Sequence, residues 1–103
     1  MITATFFYDE AERIVGFRVS GHAMSAPYGE DLVCAAASAI AFGGANALLD
    51  EGYETKTGEG ELEIRNRKGI SLHDQTVLMT ILRQFETLEA SNKKYVRVER
   101  KRT

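Results

Sequence analysis

The stretch from Asp31 to about Asp50, Asp-Leu-Val-Cys-Ala-Ala-Ala-Ser-Ala-Ile-Ala-Phe-Gly-Gly-Ala-Asn-Ala-Leu-Leu-Asp, constrains this chain more than any other. Alanine is the best helix former and Asp31 a good N-cap, so a helix is expected from Asp31 to about Asp50. It is apolar nearly all round. At helical spacing Val33, Ala37, Ile40, Gly44, Ala47 and Leu48 share one stripe, whereas Phe42 and Leu49 point roughly the opposite way. Such a helix is normally buried on both sides, and a chain of 103 residues has few layers to supply that burial. The expectation is one domain, 1–103, whose first helix also packs against a second copy of the chain as a two-fold homodimer.

Around this helix the signals are short and mixed. Ile2 to Tyr8 and Ile14 to Ser20 are rich in β-branched and aromatic residues, with polar Asp9 to Arg13 as the hairpin connection. In the second run Val15, Phe17 and Val19 alternate with Gly16 and Arg18, giving one buried and one wetter face. Residues 21–30 hold two glycines and the sole proline, Pro27, and read as a long loop. Gly52 closes the helix. Tyr53 to Thr57 and Glu61 to Asn66 make a second hairpin about Gly58-Glu59-Gly60. A second amphipathic helix runs from Ser71, its N-cap with Asp74 three residues on, to about Ala90, and carries Leu72, Val77, Leu78, Ile81, Leu82, Phe85 and Leu88. Tyr95 to Glu99 is a last strand before the charged end Arg100 to Thr103. The order is ββαββαβ, an α+β fold with a mostly antiparallel mixed sheet packed by two helices.

Composition narrows the function. The net charge is −2 with 27% charged residues, so no electrostatic reason favours a nucleic-acid or membrane partner. The basic end from Arg97 to Arg102 reads as a solvated terminus. The chain enters its first strand without a signal-like segment, and no apolar run is long enough to span a bilayer. One cysteine makes no internal disulfide, which suits a reducing cytoplasm. Two dispersed histidines and one cysteine make no metal site, and no cofactor is expected. His73 reads as a surface residue.

That one cysteine, Cys34, falls in the first turn of the expected helix, twelve positions after His22. Unpaired N–H groups and the positive end of the helix dipole favour its thiolate, the reactive form. Magnitude shows that this is insufficient. Lowering a free thiol's pKa by two units takes roughly 2.7 kcal/mol, while a helix terminus supplies about 0.3 to 1 kcal/mol. A second cation is needed, and protonated His22 is the candidate, able to return its proton to a leaving amine. By register Cys34 and Ser38 lie on the flank of the helix, about 100° or more from the centre of the bulky stripe at ~100° per residue. Asp31 has two open readings, N-cap of the helix or orienting partner of His22, and its charge opposes a thiolate beside it. Ser38 either bonds back to the carbonyl of Cys34 or lines the site floor. The N–H groups of Val33, Cys34 and Ala35 are the expected oxyanion donors.

The run Gly21-His22-Ala23, followed by Tyr28-Gly29-Glu30-Asp31-Leu32-Val33-Cys34-Ala35-Ala36-Ala37-Ser38, resembles the ribosomal-processing cysteine protease family, Prp. The likeness covers most of the chain, including Met1-Ile2-Thr3 and Phe42-Gly43 to Asn46-Ala47. It implies a cytoplasmic homodimeric endopeptidase that removes the N-terminal extension of a large-subunit ribosomal protein, the twenty-seventh in the bacterial naming. By position it implies Cys34 as nucleophile, His22 as general base or acid, and Asp31 and Ser38 in support. It further implies that Gly21, Tyr28 and Gly29 belong to a substrate-binding loop, which departs from some relatives at Met24-Ser25-Ala26-Pro27. Residues 21–30 are then a lid over the peptide with Gly21 and Gly29 as hinges. Two other classes compete with the enzyme: a non-enzymatic ribosome-assembly binding protein, and a redox-sensing thiol, which the lack of a resolving cysteine disfavours.

Overall fold

The computed structural model describes residues 1–22 and 31–103. Five strands and two helices follow one another as β1 (Ile2–Tyr8), β2 (Ile14–Gly21), α1 (Leu32–Ala47), β3 (Tyr53–Gly58), β4 (Glu61–Asn66), α2 (Leu72–Ser91) and β5 (Val96–Arg102). The strands form one sheet in the order β3-β4-β2-β1-β5. Every neighbouring pair is antiparallel except β1 and β5, which run parallel because α2 carries the chain back across the sheet. The α+β class and the order ββαββαβ stand as expected.

Register explains where the core lies. Ala4, Val19 and Leu62 stand opposite one another across β1, β2 and β4, and so do Phe6, Phe17 and Ile64. Period-two alternation puts these rows on one face, where Leu78, Ile81, Leu82 and Phe85 of α2 close over them. Phe6 is the centre, with ring centroids 5.9 Å from Phe17 and 6.2 Å from Phe85. The opposite face is polar: Arg18 pairs with Glu61 at 2.9 Å, and the Arg65 guanidinium lies 3.6 Å above the Phe7 ring.

Several boundaries and faces differ from the sequence expectation, each for a tertiary reason. In β2 the simple alternation is broken, because Tyr8 pairs with Ile14 and Phe7 with Gly16, leaving Val15 as a bulge and turning Ile14 inward. Helix α1 stops at Ala47 rather than near Asp50, since the next backbone N–H groups, of Leu49 and Asp50, are taken by the buried Asp74 carboxylate at 2.9 to 3.2 Å. The inner side of α1 is also not the bulky stripe. Ala37 and Ala41 are its buried residues, with Cys34 and Ala45 partly buried in line with them. Small side chains let the helix approach a sheet already filled by phenylalanines, so Cys34 lies on the inward side rather than off on a flank. The C-terminal residues through Arg102 extend β5 instead of trailing as a charged end.

The second helix begins as expected. Ser71 caps it, accepting the Asp74 N–H at 3.1 Å. The Asp74 side chain then turns away from solvent to hold the α1 exit, and His73, half exposed, sits with Nδ1 2.8 Å from it. Among the described residues no helix is long and apolar enough to cross a membrane.

Candidate active site

A cleft of roughly 730 Å³ opens between the N-terminal half of α1 and the end of the sheet where β2 finishes and β3 turns into β4. Cys34, Ser38 and Phe42 line it from α1, spaced one helical turn apart. Gly21 and His22 line it from the end of β2, and the turn 58–61 forms its rim. Ile2, Val19 and Leu62 supply an apolar floor. The lining is mostly apolar, with His22, Asp31, Cys34, Ser38, Glu59 and Glu61 as its polar and reactive groups.

Each polar group reaches the cleft for a local reason. Asp31, in extended conformation, is the N-cap of α1, which makes Cys34 the third helical residue. The thiol side chain is partly buried and belongs to the helical turn nearest the dipole's positive end. Gly21 takes φ +92, a conformation that side chains rarely adopt, and a β-carbon there would lie 2.2 Å from the Met1 carbonyl oxygen. The strand therefore turns sharply at Gly21. His22 projects immediately after that turn, its carbonyl accepting the Met1 N–H at 2.5 Å.

The expected site residues that the structure describes, Cys34, His22, Asp31, Ser38 and Gly21, all line this one cleft. Tyr28, Gly29 and the lid reading of the loop lie outside the described residues. Asp31 acts as the helix cap: its Oδ1 accepts the Cys34 N–H at 3.0 Å and its carbonyl accepts the Ala35 N–H at 3.1 Å. This corrects the oxyanion expectation. Two of the three anticipated donors, the amides of Cys34 and Ala35, are already engaged by Asp31 and are not aimed at a substrate oxygen.

Nothing in the sequence marks the β3–β4 turn or Phe42 as part of the cleft, although both line it. The Gly-Glu-Gly run signalled a hairpin but nothing about its neighbour across the sheet end. Phe42 points away from the Val33 to Leu48 stripe, and half of its surface is exposed, at the cleft wall.

The comparisons with known proteins agree in direction. A family model described as Cysteine protease Prp matches residues 1–97. The ribosomal processing cysteine protease Prp of Staphylococcus aureus is 30% identical over 108 residues, covering 98% of this chain and all of that protein. A crystal structure of S. aureus Prp with a covalently linked product peptide superposes with a TM-score of 0.91 at 30% identity, covering 98% of this chain and 100% of that one. Another, in complex with a substrate peptide, gives 0.85 at 28% identity with the same coverage.

Proposed function

The chain belongs to the Prp family of cysteine proteases and is a cysteine peptidase, and from that premise we propose that residues 1–103 act as one endopeptidase domain with a Cys34/His22 dyad. Its substrate is the N-terminal extension of a large-subunit ribosomal protein, the twenty-seventh in the bacterial naming. One observation carries the reading: Cys34 at the start of α1 and His22 at the end of β2 line the same cleft. The S. aureus relative has been crystallised with a substrate peptide and with a covalently linked product peptide, which supports a peptide as the substrate class here.

In this mechanism His22 takes the Cys34 proton, and the thiolate adds to the scissile carbonyl carbon. His22 then passes the proton to the leaving amine as the C–N bond breaks, leaving a thioester on Cys34. Water, deprotonated by His22, adds to the thioester carbonyl, and the thiolate departs and recovers the proton. Asp31 holds the helix start that presents the thiol, Ser38 lines the cleft one turn further on, and Gly21 aims His22.

The same reading includes a homodimer. An apolar groove of about 420 Å³ runs along the outer side of the helix pair, lined by Ile40, Gly43, Gly44, Ala47 and Val77 among others. A second copy of this helix layer is its occupant. A ribosomal substrate and a single cysteine fit the cytoplasm.

The test is to mix the purified protein with the extended ribosomal protein of the same genome and locate the cut by mass spectrometry. A single cut after the extension is expected, absent in Cys34→Ala and His22→Ala. Normal turnover by His22→Ala removes the dyad; no cut by the unaltered protein removes the substrate.

A further inference from the structure

Resting on the dyad reading, we propose that Gly60 is a positioning residue for His22, its missing side chain being what allows the imidazole to lie against the β3–β4 turn. A β-carbon at Gly60 would stand 2.8 Å from His22 Nε2, 3.2 Å from Cε1 and 3.5 Å from Cδ2. The distal edge of the ring therefore rests on the Gly60 backbone. In the chain these residues are far apart, and the sheet brings them together because β2 pairs with β4 up to Ser20 and Glu61.

The backbone carrying His22 is held from two sides. Gly21 donates its N–H to the Gly60 carbonyl at 3.0 Å, and the His22 carbonyl accepts the Met1 N–H at 2.5 Å. With residues 21 and 22 tied to both the turn and the start of β1, the remaining freedom is that of the ring. A methyl group at position 60 would have to be accommodated, and the ring, the free end of a side chain, is the part that yields at least energetic cost. The fold is then nearly unaffected while the ring leaves its place, and displacements near 1 Å can reduce turnover by about a hundredfold.

Turn chemistry gives Gly60 a second reason to be glycine, since its φ is +68, in the left-handed region. The two reasons separate experimentally. Asn tolerates left-handed φ but carries a β-carbon, so Gly60→Asn relieves the strain and keeps the clash. Gly69, at φ +125 and with none of the described residues within 4 Å of its β-carbon position, is the control for strain alone.

The experiment compares Gly60→Ala, Gly60→Asn, Gly69→Ala and His22→Ala. It measures kcat and KM on a synthetic peptide spanning the extension junction, the pH dependence of Cys34 alkylation by iodoacetamide, the His22 ring titration by NMR, and Tm. Both Gly60 variants should lose at least about tenfold in kcat with KM little changed, and should shift the His22 titration and the alkylation profile. Gly69→Ala should lower Tm and leave kcat unchanged. Wild-type kcat with an unaltered His22 titration in Gly60→Asn overturns the proposal. Wild-type turnover by His22→Ala overturns the dyad and the positioning role with it. That failure is recognisable because the His22 titration still moves in Gly60→Asn.

Discussion

The carboxylate of Asp31 accepts the backbone N–H of Cys34 at 3.0 Å, so the proposed nucleophile is tied through its own main chain to a negative charge. Capping and thiolate formation make opposite demands on that charge. Asp31→Ala should remove the cap at a cost of about 1 kcal/mol, lowering Tm by about 4 to 8 °C in a domain near this size. Asp31→Asn keeps an acceptor and removes the charge. It should hold Tm close to wild type and speed alkylation of Cys34 by iodoacetamide at about pH 6.5, where the thiolate fraction limits the rate. Slower alkylation in Asp31→Asn would instead assign the carboxylate to His22.

Gly44 lets the two helices meet. A β-carbon there would fall 2.4 Å from both Cγ1 and Cδ1 of Ile81, which is fully buried. Helix propensity favours alanine over glycine by about 1 kcal/mol, but overpacking a core typically costs about 1 to 3 kcal/mol. Gly44→Ala should therefore be destabilising on balance by about 1 kcal/mol in urea melts. The two changes should couple: in the Ile81→Ala background, where the clashing atoms are gone, Gly44→Ala should become neutral or stabilising.

What could be read from the chain and what could not divide along physical lines. Helix caps are local, so Ser71 was legible from residue type alone and capping was one of the two readings open for Asp31, and the hairpin at Gly58 to Glu61 followed from its glycines. The inward side of α1 was not legible, because a helix apolar nearly all round has no preferred face until its partner is known. Phe6, Phe17 and Phe85 are part of the core it packs on, and of its residues Ala37 and Ala41 are the ones buried there. Asp74 looked like one half of a capping arrangement and is also the anchor of the α1 exit, a contact fixed only when the helices dock. In the site, Cys34 and His22 were legible through their chemistry. That both line one cleft, and that Gly60 stands against the His22 ring, follows from how α1 packs on the sheet and how β2 registers on β4, neither of which is local.

The proposed dimer has a clean substitution. Gly43 borders the outer groove of the helix pair, and among the described residues nothing lies within 4 Å of its β-carbon position, so a side chain there meets none of them. Gly43→Glu should leave the fold of the single chain intact by circular dichroism while placing a charge in the apolar groove. Sedimentation should change from dimer to monomer. A wild-type protein that sediments as a monomer across micromolar concentrations contradicts the homodimer directly.

Acid stability should be governed by Asp74. Burial by itself raises the Asp74 carboxyl, but the N–H groups of Leu49 and Asp50, the His73 ring and the Tyr53 hydroxyl at 2.7 Å outweigh it and hold the group well below the usual carboxylate range. Tyr53 moves the other way: its burial, and the carboxylate that a phenolate would face, push it far above its ordinary value. With the folded value depressed, the stabilisation from Asp74 is complete above the unfolded carboxyl's pKa near 4 and is lost as pH falls below it, at up to about 1.4 kcal/mol per pH unit. Urea midpoints should therefore be nearly level from about pH 7 to 5 and fall steeply below about pH 4. Asp74→Asn should lower the neutral-pH stability by about 1 to 3 kcal/mol, since buried donors lose their acceptor, and should flatten the acid limb. Tyr53→Phe removes one charged hydrogen bond and should cost about 1.5 to 3 kcal/mol at neutral pH. An acid limb equally steep in Asp74→Asn would place the titrating group elsewhere.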